Sequence, residues 1–210
     1  MSRILDPHLI EGRSFSIISQ LLPDVKIPFG QKEVLKRVIH ATTELGYAKD
    51  LFFHPQAIKA GLAAIKQGKD VICDVSMVQV GVNQNSLASF GGKVRCFINH
   101  KDVIKRSNQE KIARAIVAMQ KAATYMDGAI VAIGNAPTAL FTLCDLVRSG
   151  KVKPGLIIGV PVGFVGAEES KKLLRGLKIP HITNRSRKGG SSVAAAITNA
   201  LLKLAQGEKK

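Results

Sequence analysis

Five short apolar runs constrain this chain most: Asp70–Val75, Val94–Asn99, Ala129–Ile133, Leu156–Val160 and His181–Asn184. Most are rich in Val and Ile and lack the alternation of a strand with one wet face. Such runs fit strands covered on both sides. Helical patterns lie between them. "SNQEKIARAIVAMQKAATYM" has an Asn/Ser start, an acidic first turn and apolar residues at Ile112, Ala115, Ile116, Met119 and Ala123, which predicts one helix. "AEESKKLLRGLK" follows the fourth run and "SSVAAAITNALLKLA" the fifth. Alternating strand and helix means βαβ units, a parallel sheet and right-handed crossovers.

Ahead of the first run, helices are predicted over Glu33–Leu45 and Pro55–Gln67, the second with Pro in its first turn. The expected organisation is one domain over residues 1–210, with a helical lead-in (1–68) and a doubly wound α/β core (69–206). The final "GEKK" is expected to fray. The 210 residues, 46% of them apolar, suffice for a substantial core.

Charge narrows the partners. The chain has 31 Lys+Arg against 15 Asp+Glu, a net charge of +16, which suits an anionic partner. From Lys171 to Lys188, both included, there are seven Lys or Arg and no Asp or Glu. Cys73, Cys96 and Cys144 are far apart in apolar surroundings, and read as buried, inert thiols of a reducing compartment. "MSRILDPHLIEGRSF" has no long apolar core, so no signal peptide is expected. The longest uncharged apolar stretch, Gly128–Cys144, is cut by Gly134-Asn135-Ala136-Pro137 and reads as two short elements rather than a membrane span. A cytoplasmic location with no membrane association is the expectation.

Ligands of an open parallel sheet bind beyond the carboxyl ends of its strands. The turns there read "DVSMVQVGVNQNS", "GNAPTA", "PVGFVGAEES" and "NRSRKGGSS". Glycine permits close backbone approach, and a helix N-terminus offers free N–H groups to an anion. Gly189-Gly190-Ser191-Ser192, beside Arg185, Arg187 and Lys188, is the best anion cradle among them. Short βα turns need Gly, Asn and Pro in any case, and no standard phosphate motif occurs. Glu168-Glu169, at a helix start, suits the helix dipole better than acid catalysis.

The histidines, His8, His40, His54, His100 and His181, show no metal-ligand spacing, so no metal site is expected. His40 stands out. In "KEVLKRVIHATTEL" the apolar stripe is Val34, Leu35, Val38, Ile39, Thr42 and Leu45. At about 100° per residue His40 points nearly opposite that stripe. It is either a solvated histidine or one facing a cleft or a partner subunit, where imidazole suits proton transfer.

Six ordered blocks carry a family resemblance: "RSFSII" at Arg13–Ile18, "RVIHAT" at Arg37–Thr42, "ICDVSMVQVGV" at Ile72–Val82, "VAIGNAPTALF" at Val131–Phe141, "GVPVGFVGAEESK" at Gly159–Lys171 and "GGSSVAAA" at Gly189–Ala196. The chain resembles the precorrin-8 methylmutases of cobalamin biosynthesis, including their cobalt-precorrin-8 counterparts, over nearly its whole length. The resemblance implies a three-layer α/β/α fold with a five-stranded, flavodoxin-like parallel sheet. Counting the runs along the chain, its order is 2-1-3-4-5, with additional N-terminal helices. It also implies a homodimer and an isomerase that moves a methyl group from C-11 to C-12 of a tetrapyrrole. No organic cofactor takes part, and any cobalt belongs to the substrate.

By the same resemblance His40 is the acid/base histidine, and Arg13, Ser14 and Arg114 are substrate-binding. Asn83 stands where relatives commonly carry Thr, and can likewise donate and accept. Gly134, Asn135, Ala136, Pro137 and Thr138 form a turn expected to approach the flat macrocycle. Gly163, Gly189, Gly190 and Ser191 complete the expected substrate contacts, with Arg, Lys and helix N-termini receiving the carboxylate arms. A nucleic-acid-binding protein is the rival on charge alone, but it lacks a recognition motif and stacking aromatics, with eight Phe, two Tyr and no Trp. A flavin- or nucleotide-binding module is the rival on fold, without phosphate fingerprints.

Overall fold

The computed structural model describes residues 6–22 and 27–207. The chain opens with helices α1 (Pro7–Leu21), α2 (Phe29–Thr42) and α3 (Tyr47–Asp50), then strand β1 (Leu51–Phe53) and α4 (Ala57–Lys66). Strand β2 (Val71–Cys73) leads into α5 (Ser76–Gly81) and α6 (Gln84–Ala88), and β3 (Val94–Cys96) into α7 (Lys101–Glu110) and α8 (Arg114–Ala122). Three strand–helix units follow: β4 (Ile130–Ile133) with α9 (Pro137–Arg148), β5 (Leu156–Gly159) with α10 (Ala167–Arg175), and β6 (His181–Asn184) with α11 (Ser191–Gly207).

The strands form one sheet in the order β1-β6-β5-β4-β2-β3. β2 to β6 are the five apolar runs, and neighbours among them pair in parallel. β1 is antiparallel to β6, with Leu51 opposite Asn184 and Phe53 opposite Ile182. The expected five-stranded, all-parallel sheet is corrected to six strands with an antiparallel edge, and the lead-in is not all-helical. A three-residue strand with no alternation to read leaves almost no periodic signal.

Two apolar layers hold the sheet. α2, α4, α5 and α11 cover one face through Val34, Val38, Ile65, Val78, Ile197 and Leu201. α8, α9 and α10 cover the other through Val117, Met119, Leu140, Leu143 and Leu174. β4 and β5, the innermost strands, are buried along their whole length. Each buried Ile, Leu or Val contributes ~2 kcal/mol relative to exposure.

Helix boundaries differ from expectation, and α2 spans Phe29–Thr42 rather than Glu33–Leu45. The helix predicted through "SNQEKIARA" ends at Glu110, where Lys111 turns left-handed at φ 53° and the Ser107 hydroxyl donates to the Ile112 carbonyl. A new helix starts at Arg114. α4 begins at Ala57, so Pro55 precedes the helix.

Candidate active site

β4 leaves the sheet through Gly134-Asn135-Ala136-Pro137 and enters α9 at once, with Pro137 in its first turn. The buried carboxylate of Asp74, at the end of β2, accepts the N–H groups of Gly134 (3.1 Å), Asn135 (2.8 Å) and Ala136 (2.9 Å). Burial pushes the Asp74 carboxyl up, and these three donors pull it part of the way back. The turn's N–H groups are thus taken by the protein, so they form no phosphate cradle. Gly134 answers a packing need as well: a Cβ there would stand 2.8 Å from the Ser191 Cα and 2.9 Å from the Gly190 carbonyl oxygen. Asn135 and Thr138 remain exposed on the carboxyl edge.

The Gly189-Gly190 turn lies against this one. Gly189 (φ 148°) would drive a Cβ to 2.2 Å from the Val160 carbonyl oxygen, so only glycine fits. Its N–H donates to the buried Tyr47 hydroxyl, which burial pushes up to about 12. The Gly190 N–H donates to the Val160 carbonyl. What the turn has left for an anion is the first turn of α11 from Ser191 onward, where a helix leaves its N–H groups unpaired. The Gly163 N–H donates to the Arg187 carbonyl at 3.2 Å, which ties the β5–α10 loop to this turn. Glu168 ion-pairs with Arg187 at 3.7 Å.

His40 lies near the end of α2 and faces α1, neither core nor open solvent. Its Nδ1 is 2.8 Å from the Ser14 hydroxyl oxygen, and its ring stacks on Phe15 at 5.2 Å. Arg37 covers the Phe15 ring at 4.7 Å. Arg13, Ser14 and His40 line a cavity of about 400 Å³ whose other walls are chiefly Ile10, Ile17, Leu21 and Leu45, all exposed. Ile10, Ser14, Ile17 and Leu21 share one stripe of α1. Helical periodicity sets His40 off the apolar stripe of α2, and its partner Ser14 comes from α1, a helix outside those predicted from the sequence.

The histidine and the carboxyl edge meet through the segment after α2. Glu44 ion-pairs with Lys188 at 2.8 Å, and Tyr47 holds Gly189. Two expected site residues stand apart from His40. Asn83 caps α6: its side-chain oxygen accepts the Ser86 N–H at 3.0 Å, and its own N–H donates to Asn199 at 2.8 Å. Arg114 is exposed at the start of α8, on the opposite face of the sheet. Ile116 of the same helix and Thr138 of α9 line one groove.

This arrangement joins a histidine held by a hydroxyl, a half-open apolar cavity and a cationic carboxyl edge. Residues 9–204 match the family model described as precorrin-8X methylmutase (CbiC). The chain belongs to the precorrin-8X methylmutase family. The cobalt-precorrin-8 methylmutase of Priestia megaterium is 45% identical over 201 residues, 96% of this chain and 89% of that protein. The precorrin-8X methylmutase of Pseudomonas aeruginosa is 40% identical over 202 residues, 94% of this chain and 96% of that one. A crystal structure of the precorrin-8X methyl mutase from Thermus thermophilus superposes with a TM-score of 0.89 at 36% identity, covering 96% of this chain and 97% of that one. Like the family, the chain is an isomerase that catalyses methyl migration.

Several residues of this candidate site carry no signal in the sequence. Asp74 and Tyr47 do their work from the interior. Phe164 and Val165, 87% and 88% exposed, form an apolar tip on the carboxyl edge after β5. Lys171, counted in the basic stretch, is wholly buried. The three cysteines are free, Cys96 only half-buried, and burial pushes their thiols up, Cys144 to about 12. Among the described residues no group of three or more His, Cys, Asp or Glu side chains could hold a metal ion, and no helix is long and apolar enough to cross a membrane.

Proposed function

We propose that this chain moves a methyl group from C-11 to C-12 of precorrin-8 or cobalt-precorrin-8, giving hydrogenobyrinic acid or its cobalt counterpart in cobalamin biosynthesis. The observation that carries the reading is the Ser14–His40 pair on the wall of an apolar cavity. In a [1,5]-sigmatropic shift the bond from C-11 to the methyl breaks as the bond to C-12 forms. Protonation of the macrocycle by His40 localises the double bonds for that shift, and the proton returns afterwards. Ser14 suits this cycle because its hydroxyl oxygen accepts the Nδ1–H both of imidazolium and of the neutral tautomer left when Nε2 gives up its proton. The sequence is redox-neutral and calls for no organic cofactor. Cobalt, where present, is part of the substrate.

The substrate's carboxylate arms find cations at Arg13, Arg114, Arg187 and Lys188 and N–H groups at the start of α11. Its flat face finds the apolar walls beside His40 and the Phe164 tip. The open stripe of Ile10, Ile17 and Leu21 fits a second copy of the chain, which would close the cavity over His40 in a homodimer. Three free thiols fit a reducing cytoplasm.

The test is spectroscopic conversion of metal-free and cobalt-loaded substrate, with product binding measured separately. His40→Ala should bind product yet lose conversion by about 10² to 10⁴. Arg13→Ala and Arg114→Ala should weaken binding instead. Light scattering at micromolar protein should give a dimer. Wild-type turnover by His40→Ala would overturn the acid/base role.

A further inference from the structure

Lys171, on α10, is wholly buried, and among the described residues its ammonium touches no carboxylate. It donates to the Asn184 side-chain oxygen at 3.0 Å, to the Lys188 carbonyl at 2.7 Å and to the Ser186 carbonyl. All three acceptors lie in the segment that leads from β6 to Gly189-Gly190. Asp50 grips that segment from the other side. Its carboxylate accepts the Arg185 and Ser186 N–H groups (2.9 and 2.8 Å), the Ser186 hydroxyl (2.6 Å) and the Asn184 side-chain amide (2.9 Å). Asn184 and Ser186 thus separate the two charges, and no carboxylate of the described residues pairs directly with the ammonium.

In a trans peptide the carbonyl and the next N–H point opposite ways. With the Ser186 and Lys188 carbonyls turned in to Lys171, the N–H groups of Arg187 and Gly189 turn away from it, the latter to Tyr47. Gly189 and Gly190, both at positive φ, have little stiffness of their own, so their shape is set by what holds the residues before them.

We propose that Lys171 is a positioning residue for the carboxylate-binding turn: its buried ammonium fixes the 186–189 peptides and adds the positive charge that the start of α11 presents to the substrate. This rests on the reading that the Gly189–Ser192 turn receives a substrate carboxylate. It gives the one wholly buried lysine of the basic stretch a task within the fold.

Burial holds the Lys171 ammonium down to about 8. The charged groups facing it are Asp50 from α3, and Glu168 and Arg175 on its own helix. Carboxylates and guanidiniums as classes titrate outside the window from about pH 7 to 9.5. Binding of an anion at the turn should therefore weaken as Lys171 loses its proton.

The experiment titrates hydrogenobyrinic acid into three proteins and follows its visible bands from pH 7 to 9.5. Wild type should lose about tenfold in affinity across that range. Lys171→Met should already be about tenfold weaker at pH 7 and flat above it. Ser192→Asp tests the underlying reading. Ser192 is exposed, and an acidic residue in a helix's first turn preserves the fold, but it repels a carboxylate at the turn. If Ser192→Asp weakens binding while wild type shows no pH dependence, the turn binds the carboxylate and the role of Lys171 is wrong. If Ser192→Asp binds like wild type, the carboxylate reading fails and the proposal falls with it. The wild-type pH series stands even if Lys171→Met does not fold.

Discussion

The Ser14 hydroxyl stands 2.8 Å from Nδ1 of His40, although the two residues are 26 positions apart and on different helices. The bond fixes the ring's orientation and leaves Nε2 as the nitrogen available to a substrate. Ser14→Ala keeps the stacking on Phe15 but frees the ring to rotate. The expected result is a turnover number lower by about ten- to a hundredfold, the scale of a small misplacement of a reacting group. Product affinity should be nearly unchanged. An unaltered turnover number would show that the hydroxyl does not orient the imidazole.

Asp74 joins β2 to the start of α9. One oxygen accepts Gly134 and the other accepts both Asn135 and Ala136. Asp74→Asn substitutes an amide nitrogen for one of these oxygens, so at least one buried N–H meets a donor. Each such loss costs about 1–3 kcal/mol. The urea midpoint should fall accordingly with an unchanged slope. A midpoint equal to wild type would mean that the turn is held by something else.

How far this molecule could be read in advance depended on the range of the signal. β4 and β5 are buried on both faces, and their Val- and Ile-rich runs announce that locally. β1 carries only Leu51, Phe52 and Phe53, and it exists because β6 offers it an edge. His40 was legible as an oddity from helical periodicity, whereas Ser14 and Phe15 reach it only through the packing of α1 on α2. The Gly-Asn-Ala-Pro turn was visible as a turn. Its reason, a carboxylate 60 residues earlier in the chain, was not. Lys171 counts in the basic stretch like any other lysine, because composition does not report burial.

His181 opens β6 at the edge opposite the active site. It is buried, its Nδ1 lies 2.8 Å from the Ile179 carbonyl, and its Nε2 has no hydrogen-bond partner among the described residues. Burial, and secondarily the nearby His54 and Arg175, holds its pKa below the ordinary histidine value. The unfolded chain therefore takes up a proton at a pH where the native state does not. Stability is retained above about pH 6.5 and declines as pH falls below it, by at most about 1.4 kcal/mol per pH unit for one proton. His181→Phe, able to stack on Phe52, should show a shallower decline between about pH 6.5 and 5. Parallel urea midpoints for the two proteins across that range would rule out His181 as the group responsible.

Gly134 and Gly12 separate two reasons for a glycine. Neither sits at positive φ, so neither is needed for its backbone conformation. A Cβ on Gly134 meets the Ser191 Cα, the Gly190 carbonyl oxygen and the Gly190 carbonyl carbon at 2.8, 2.9 and 3.0 Å. All three are backbone atoms, so no side chain can rotate out of the way. Gly134→Ala must push the start of α11 off the β4–α9 turn, and overpacking of this kind costs about 1–3 kcal/mol. Gly12 lies within α1, and a Cβ there meets nothing within 4 Å. Gly12→Ala should stabilise the monomer fold by about 0.5–1 kcal/mol, because alanine loses less backbone entropy in a helix. Product affinity distinguishes the two further. Gly134→Ala displaces the α11 N–H groups assigned to a carboxylate and should weaken binding, while Gly12→Ala leaves those groups in place. Thermal and urea unfolding of both variants, followed by product titration, checks each step. A Gly134→Ala protein as stable as wild type would show that the two turns do not press on each other as closely as 2.8 Å implies.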